Sequence, residues 1–355
     1  MTMAVRPVRS NRELRSACIA ALWSSRTAGP GVVVTPPLRP TVGRPAVASC
    51  VVAARGSRET TMSEPGWMQN VQAHAVCPTD DLFTLERGPM TDGRRRLDLS
   101  PGPAAHGADG LPAPGLLFLL ADSVIGSACV WSLDPHEVVV TSSLHVEVHL
   151  RPWAAHRSVG GTGGEAHRYH GGIASSGTVH DGDGRVVASV SGRFALFTVG
   201  ERQGGNVAEP PSDTAVVDEP PAADPHPLLG SEVYRTLGTR FVELGPDHLT
   251  LTFTARPVLA NERHGLHGGS GALMGERACD ALIRAVAAPD REILPVTMSV
   301  AFLRPIPADG STVSCTARIE HLGRQLVAVQ SVLHTPAGKP AVVVDVVAAG
   351  VERPG

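Results

Sequence analysis

Two stretches of this chain place an apolar residue every three or four positions, and each is followed by a stretch in which apolar and polar residues alternate. In the first, Leu116, Leu119, Leu120 and Val124 fall on one face of a helix predicted within Gly115–Cys129. In the second, Ala272, Cys279, Leu282, Ile283 and Val286 do the same beyond Gly269. A period near 3.6 gathers such residues into a stripe that must be covered. The alternating stretches run Val138–Pro152 and Ile293–Pro305, and a period of two lays one face of a strand against a core. Each unit closes in further strand-like runs around a short turn. These are Val179–Ala188 with Asp-Gly and Val332–Val342 with Ala-Gly, where glycine supplies the positive φ of a tight hairpin. One apolar helix ahead of period-two strands predicts an α+β fold, a sheet wrapped around a central helix, made twice.

The two units align as repeats, which constrains the architecture more than any single motif. Each has an acid inside its helix, Asp122 or Glu276, and a Leu-Arg-Pro after its strand, at Arg151-Pro152 and Arg304-Pro305. Residues 200–229 pass through Glu-Pro-Pro, Asp-Glu-Pro-Pro and Asp-Pro-His-Pro, an acidic, proline-rich linker. The expected organisation is an arm at 1–61, a first domain at 80–199, that linker, and a second domain at 230–350. The arm holds nine arginines and two acids without a sustained apolar period. It is expected to be disordered, and Met62 offers an alternative start.

Composition removes several classes of function. A formal charge of −3 leaves no electrostatic footprint for nucleic acid. No run approaches the ~20 apolar residues of a membrane span, so a cytoplasmic protein acting on a small molecule is expected. The six cysteines include no Cys-x-x-Cys pair, which predicts reduced, packed thiols and neither zinc nor a disulfide framework. No histidines show metal-ligand spacing on a helix face, so no metal is assigned. Gly160-Gly-Thr-Gly-Gly164 reads as an inserted loop, since it does not join a strand to a helix as a phosphate cradle would.

At the second helix the chain reads Asn261-Glu-Arg-His-Gly-Leu-His267-Gly268-Gly269, with Glu276 nine residues beyond His267. This resembles the pattern of the phenylacetate-type (PaaI-like) hotdog thioesterases: an asparagine, His-Gly-Gly six residues on, and an acid nine residues after the histidine. The resemblance covers both repeats. It implies a tandem hotdog whose halves pair as two subunits would, hydrolysis of an acyl-CoA or related thioester, and no cofactor beyond the coenzyme A of the substrate. A homodimer of double hotdogs is left open. The resemblance also implies sites where two hotdogs meet, the acid of one facing the His-Gly-Gly of the other.

Thioester hydrolysis must stabilise a negative oxygen and deliver a water. A glycine at a helix N-terminus offers a backbone N–H together with the positive end of the helix dipole, and Gly268 is the expected donor, with Gly269 a secondary candidate. Asn261 is expected to hold the loop or polarise the water, and His267 to brace the turn. The carboxylate then serves as general base, or as nucleophile through an anhydride. The first repeat has Gly107, Ala113, Pro114 and Gly115 where the second has Asn261, His267, Gly268 and Gly269. Proline has no N–H, so the oxyanion donor is missing there.

The resemblance also implies a hydroxyl on the strand after the helix. In the second repeat that place falls on Pro295. In the first it falls on Thr141 when the apolar residues are matched, and on Ser142 when Arg151-Pro152 sets the count. The complementary pieces, Asp122 with Thr141 or Ser142 and Asn261 with His267 and Gly268, make one complete site. Glu276 faces the Pro114 end and is expected to be inactive or structural. Gly323-Arg324 resembles a Gly-basic pair near which the family binds coenzyme A. Two alternatives stay open: an enoyl-thioester hydratase or dehydratase on the same fold, and a non-catalytic acyl-CoA-binding module.

Overall fold

In a computed structural model of the protein, the described residues are 77–91, 94–198, 222–287 and 291–352. The expected arm at 1–61 and most of the expected linker lie outside them. The first half contains helices α1 (Pro78–Phe83) and α2 (Leu116–Trp131) and strands β1 (Leu85–Thr91), β2 (Arg94–Leu99), β3 (Glu137–Val148), β4 (Val159–Gly163), β5 (His167–Tyr169), β6 (Gly172–His180) and β7 (Val186–Thr198). The second half contains α3 (Glu232–Thr236) and α4 (Gly268–Val286), with β8 (Arg240–Leu244), β9 (His248–Thr254), β10 (Arg291–Phe302), β11 (Thr312–Leu322), β12 (Leu326–His334) and β13 (Pro340–Glu352). Among the described residues no helix is long and apolar enough to cross a membrane.

The thirteen strands of the described residues form one antiparallel sheet in the order β1-β2-β4-β6-β7-β3-β10-β13-β12-β11-β9-β8, with β5 beside β6. Read outward from the β3–β10 pair, the first half and the second half run through equivalent strands. Equivalent residues stand 154 positions apart, as from Asp122 to Glu276, except at Arg151-Pro152 and Arg304-Pro305, which stand 153 apart. The same separation relates the bridge His106–Pro112 to Ala260–Leu266, and the left-handed Thr84 to Gly238. At the seam His145 pairs with Ser299, and the pairs on either side, Leu144 with Val300 and Val146 with Met298, are equivalents of one another. The halves thus meet in one continuous sheet through a symmetric register.

The core lies between this sheet and the two long helices. Leu116, Leu117, Phe118, Leu119 and Leu120 are all buried, because α2 is covered by the sheet and also by α4. Each such side chain contributes about 1.5–3 kcal/mol on burial. The predicted apolar face of α4 is buried at Ala272, Cys279, Leu282 and Ile283, yet Glu276 and Arg277 on the same helix are buried too. Gly269 lets the helices touch: a Cβ there would stand 2.5 Å from the Leu119 Cα.

The glycine-rich stretch expected as an inserted loop is instead strand β4, paired with β2 and β6. Its glycines answer crowding by α2, since a Cβ on Gly161 would lie 2.7 Å from Val124 Cγ2 and one on Gly163 2.5 Å from the Val124 carbonyl oxygen.

Candidate functional site

A loop and a helix start define one end of the seam. Asn261 Oδ1 accepts hydrogen bonds from the backbone N–H groups of Arg263 (2.9 Å) and Gly265 (3.1 Å). Its acceptor is spent on shaping the loop, which favours the loop-holding role over polarising water. Between them His264 takes a left-handed conformation, φ 59°. His267 is the N-cap of α4, and its Nδ1 accepts from the Gly269 N–H at 3.0 Å. Gly269 is therefore committed to the cap and to the contact with Leu119. Gly268 is the first residue of α4, in the turn whose N–H groups have no acceptor within the helix.

Asp122 reaches this helix start from α2 of the other half. Its Oδ2 lies 3.0 Å from where a Gly268 Cβ would be and 3.9 Å from His267 Nδ1, and its side chain is only 12% exposed. Thr141 Oγ1 donates to Asp122 Oδ1 at 2.6 Å. Burial raises the carboxyl above its ordinary range against the pull of His267 and of the Thr141 hydrogen bond, and the nearby Glu262 and Asp80 add to the rise.

Ser142 is not brought to Asp122, since its Oγ donates instead to the Arg193 carbonyl oxygen. The reason is a β-bulge: between Thr141 and Ser143 the pairing of β3 with β7 slips by one residue, leaving Ser142 as the extra one. Strand β10 slips at the equivalent place, between Pro295 and Thr297. Because both strands carry the bulge, it matches Thr141 with Pro295 at the separation of 154; the alignment on Arg151-Pro152 and Arg304-Pro305, which stand 153 apart, is the one that selects Ser142.

The equivalent place in the other half differs in backbone and in chemistry: α2 begins at Leu116, two residues beyond the equivalent of Gly268. Pro114 stands at the position of Gly268, and the next N–H, that of Gly115, donates to the Glu276 carboxylate. Arg277 grips both Glu276 oxygens, Nε to Oε2 at 2.6 Å and Nη2 to Oε1 at 2.5 Å, and both residues are at most 3% exposed. The network extends through Asp280 to Arg284 (2.9 Å) and to Tyr234, whose hydroxyl donates to the Arg277 carbonyl oxygen. Against the cost of burial, Arg277 and Arg284 hold the Asp280 carboxyl below its usual range. Arg277 and the Gly115 N–H together take up three of the roughly four lone-pair positions of the Glu276 carboxylate.

Gly323 and Arg324 do not join either cluster. They form the turn between β11 and β12, where the Gly323 N–H donates to the Leu326 carbonyl oxygen and Arg324 is exposed.

The motif reading missed a further group. Asp80 on α1 is 5% exposed, pairs through Oδ2 with Arg87, and leaves Oδ1 buried without a hydrogen-bond partner among the described residues. Its carboxylate, a ring nitrogen of His267 and the Cys77 Sγ lie within 4.8 Å of one another. Burial, Asp80 and Glu262 push the Cys77 thiol up to about 12. A protonated thiol, with the Arg87 guanidinium 3.8 Å from it, is a poor cation ligand. The separation of 154 matches Asp80 with Tyr234 and Cys77 with Ser231, and that change from acid to phenol is the sequence signal that marks this group.

A search of the curated proteins finds no match. A family model described as a domain of unknown function, DUF4442, matches residues 233–350, the second half. Among solved structures, the acyl-CoA thioesterase II of Mycobacterium marinum superposes with a TM-score of 0.51 at 14% identity, covering 78% of this chain and 98% of that one. A protein of unknown function with a hot dog fold from Alicyclobacillus acidocaldarius gives 0.51 at 15%, covering 79% of this chain and 100% of that one. The chain has the hotdog fold. The tesB protein of Mycobacterium avium subsp. paratuberculosis, at 0.51 and 13% identity over 77% of this chain and 98% of its own, agrees.

Proposed function

We propose that this hotdog chain hydrolyses acyl-CoA-type thioesters at a single site assembled from both halves, which act together as two subunits of a dimer would. One observation carries the reading: Asp122, held by Thr141, faces the Gly268 helix start across the seam, while its equivalent Glu276 is gripped by Arg277. The thioesterase named among the fold neighbours supports it, as does the PaaI-like pattern of Asn261, His267, Gly268 and Gly269.

The substrate carbonyl oxygen sits at the Gly268 N–H, where the helix dipole adds to the stabilisation of developing negative charge. Asp122 either takes a proton from the attacking water, or attacks the carbonyl carbon itself to form an anhydride that water then opens. Collapse of the tetrahedral intermediate breaks the C–S bond, and the thiolate takes up the proton. The balance is thioester plus water giving acid plus thiol, with coenzyme A entering only as part of the substrate. A carboxyl raised by burial suits the task, because a base with greater proton affinity removes a proton more readily near neutral pH.

The test is release of free thiol from a panel of aryl, short and long acyl-CoAs, followed with a thiol reagent. Thiol release that needs Asp122 supports the reading. Tight binding of every panel member without thiol release contradicts it.

A further inference from the structure

The other half keeps a cavity where its own active site would stand. About 160 Å³ of space lies between Pro114, Val148 and Leu150 of the first half and Leu294, Pro295 and Val296 of the second. These residues are not an arbitrary set. Under the separation of 154, Pro114 corresponds to Gly268 and Pro295 to Thr141, so the cavity occupies the place of the thioester carbonyl at the Asp122 site. Val148 corresponds to Phe302, whose ring at the Asp122 site comes within 3.4 Å of where a Gly268 Cβ would be. Valine is the smaller side chain, so the space beside Pro114 is wider on that side than the space beside Gly268.

Every change that removes chemistry from this place also makes it more apolar. A donating N–H has become Pro114, a hydroxyl has become Pro295, and the carboxylate is withdrawn into its pair with Arg277. The rim is polar: Arg151 bridges Asp109 and Glu292, each at 2.7 Å. An apolar cavity of about 150 Å³ takes a benzene ring, whereas whole drug-sized ligands need about 300–1,000 Å³. The space fits a short acyl or aryl group and leaves a nucleotide outside.

We propose that this cavity binds the acyl end of a thioester and does not cleave it, so that each chain holds two ligands and turns over one. The proposal rests on the thioesterase reading of the Asp122 site. It is tested with the full chain and a non-hydrolysable thioether analogue of 4-fluorobenzoyl-coenzyme A, combining calorimetric stoichiometry with fluorine NMR of the bound probe. Two probes per chain and two bound resonances are expected, falling to one of each in Val296→Trp, which fills the cavity. If that variant does not fold, the two resonances in the unaltered protein carry the test alone. One probe per chain, with a single resonance, overturns the second site and leaves hydrolysis at Asp122 standing. No bound probe also overturns it, and thiol release from the authentic thioester then decides separately whether the hydrolase reading falls.

Discussion

The two helix starts at the seam occupy equivalent places in the two halves and differ in how their carboxylates are held. Asp122 has one oxygen on the Thr141 hydroxyl and the other turned toward the start of α4. Glu276 has both oxygens on Arg277 and the Gly115 N–H besides. Burial raises the proton affinity of both carboxyls, against the pull of His267 and Thr141 at Asp122 and of Arg277 at Glu276. Gripping a carboxylate with a guanidinium satisfies it and removes it from chemistry. On the proposed reading the second site is silenced in two ways, by the missing N–H at Pro114 and by the grip of Arg277 on Glu276.

This contrast can be broken from either side. On the side of the helix start a large effect is expected for Gly268→Val, whose side chain meets Asp122 Oδ2 and the Phe302 ring. Loss of the oxyanion position is worth about 10²–10³ in kcat, read by thiol release. Arg277→Met should cost roughly 3–5 kcal/mol of stability by leaving a buried carboxylate unpaired, measured by denaturant unfolding, while thiol release per folded molecule stays near that of the unaltered chain.

Thr141→Val removes a hydrogen bond to a charged group and should cost about 1.5–3 kcal/mol of transition-state stabilisation. It also carries a sign. Asp122 acts ionised, so activity rises with pH through its elevated value, and the Thr141 bond lowers that value. The acid limb of kcat/KM should therefore move to higher pH in Thr141→Val. The smallest effect is expected for Pro114→Gly, which restores an N–H but leaves Glu276 locked. Its turnover should match the parent within error, and a second catalytic site appearing in that variant would refute the lock.

A stability prediction follows from the same burial. A carboxyl whose folded value is raised contributes stability that is fully present below its unfolded value and is lost as pH rises through the folded value. Replacing Asp122 by Asn should therefore raise Tm at neutral pH, and the gain should shrink on acidification.

Much of this was legible in the sequence because aligning the repeats on their helical acids sets the motif positions of the two halves side by side. His267, Gly268 and Asp122 stand out against Ala113, Pro114 and Glu276 without any coordinates. The bulge at Ser142 was not legible, since one extra residue in a strand leaves the apolar alternation intact on either side, and only the pairing of β3 with β7 separates Thr141 from Ser142. Strand β4 was missed for the opposite reason: its glycines read as a loop, but close contact with α2 requires them. The grip of Arg277 on Glu276 joins neighbours in sequence, and nothing in the pattern says that both are buried. Asp80 lies outside the motif altogether and reaches His267 only through the packing of α1 against the loop ahead of α4, where the Thr79 hydroxyl donates to the Ala260 carbonyl oxygen.

The central claim is one working carboxylate out of two. It is tested most directly by the single-turnover rate of thiol release in Asp122→Asn beside Glu276→Gln, each confirmed folded. A loss of about 10²–10⁴ is expected for the first and a rate within twofold of the parent for the second. Equal losses in both variants, or a larger loss in Glu276→Gln, would contradict it.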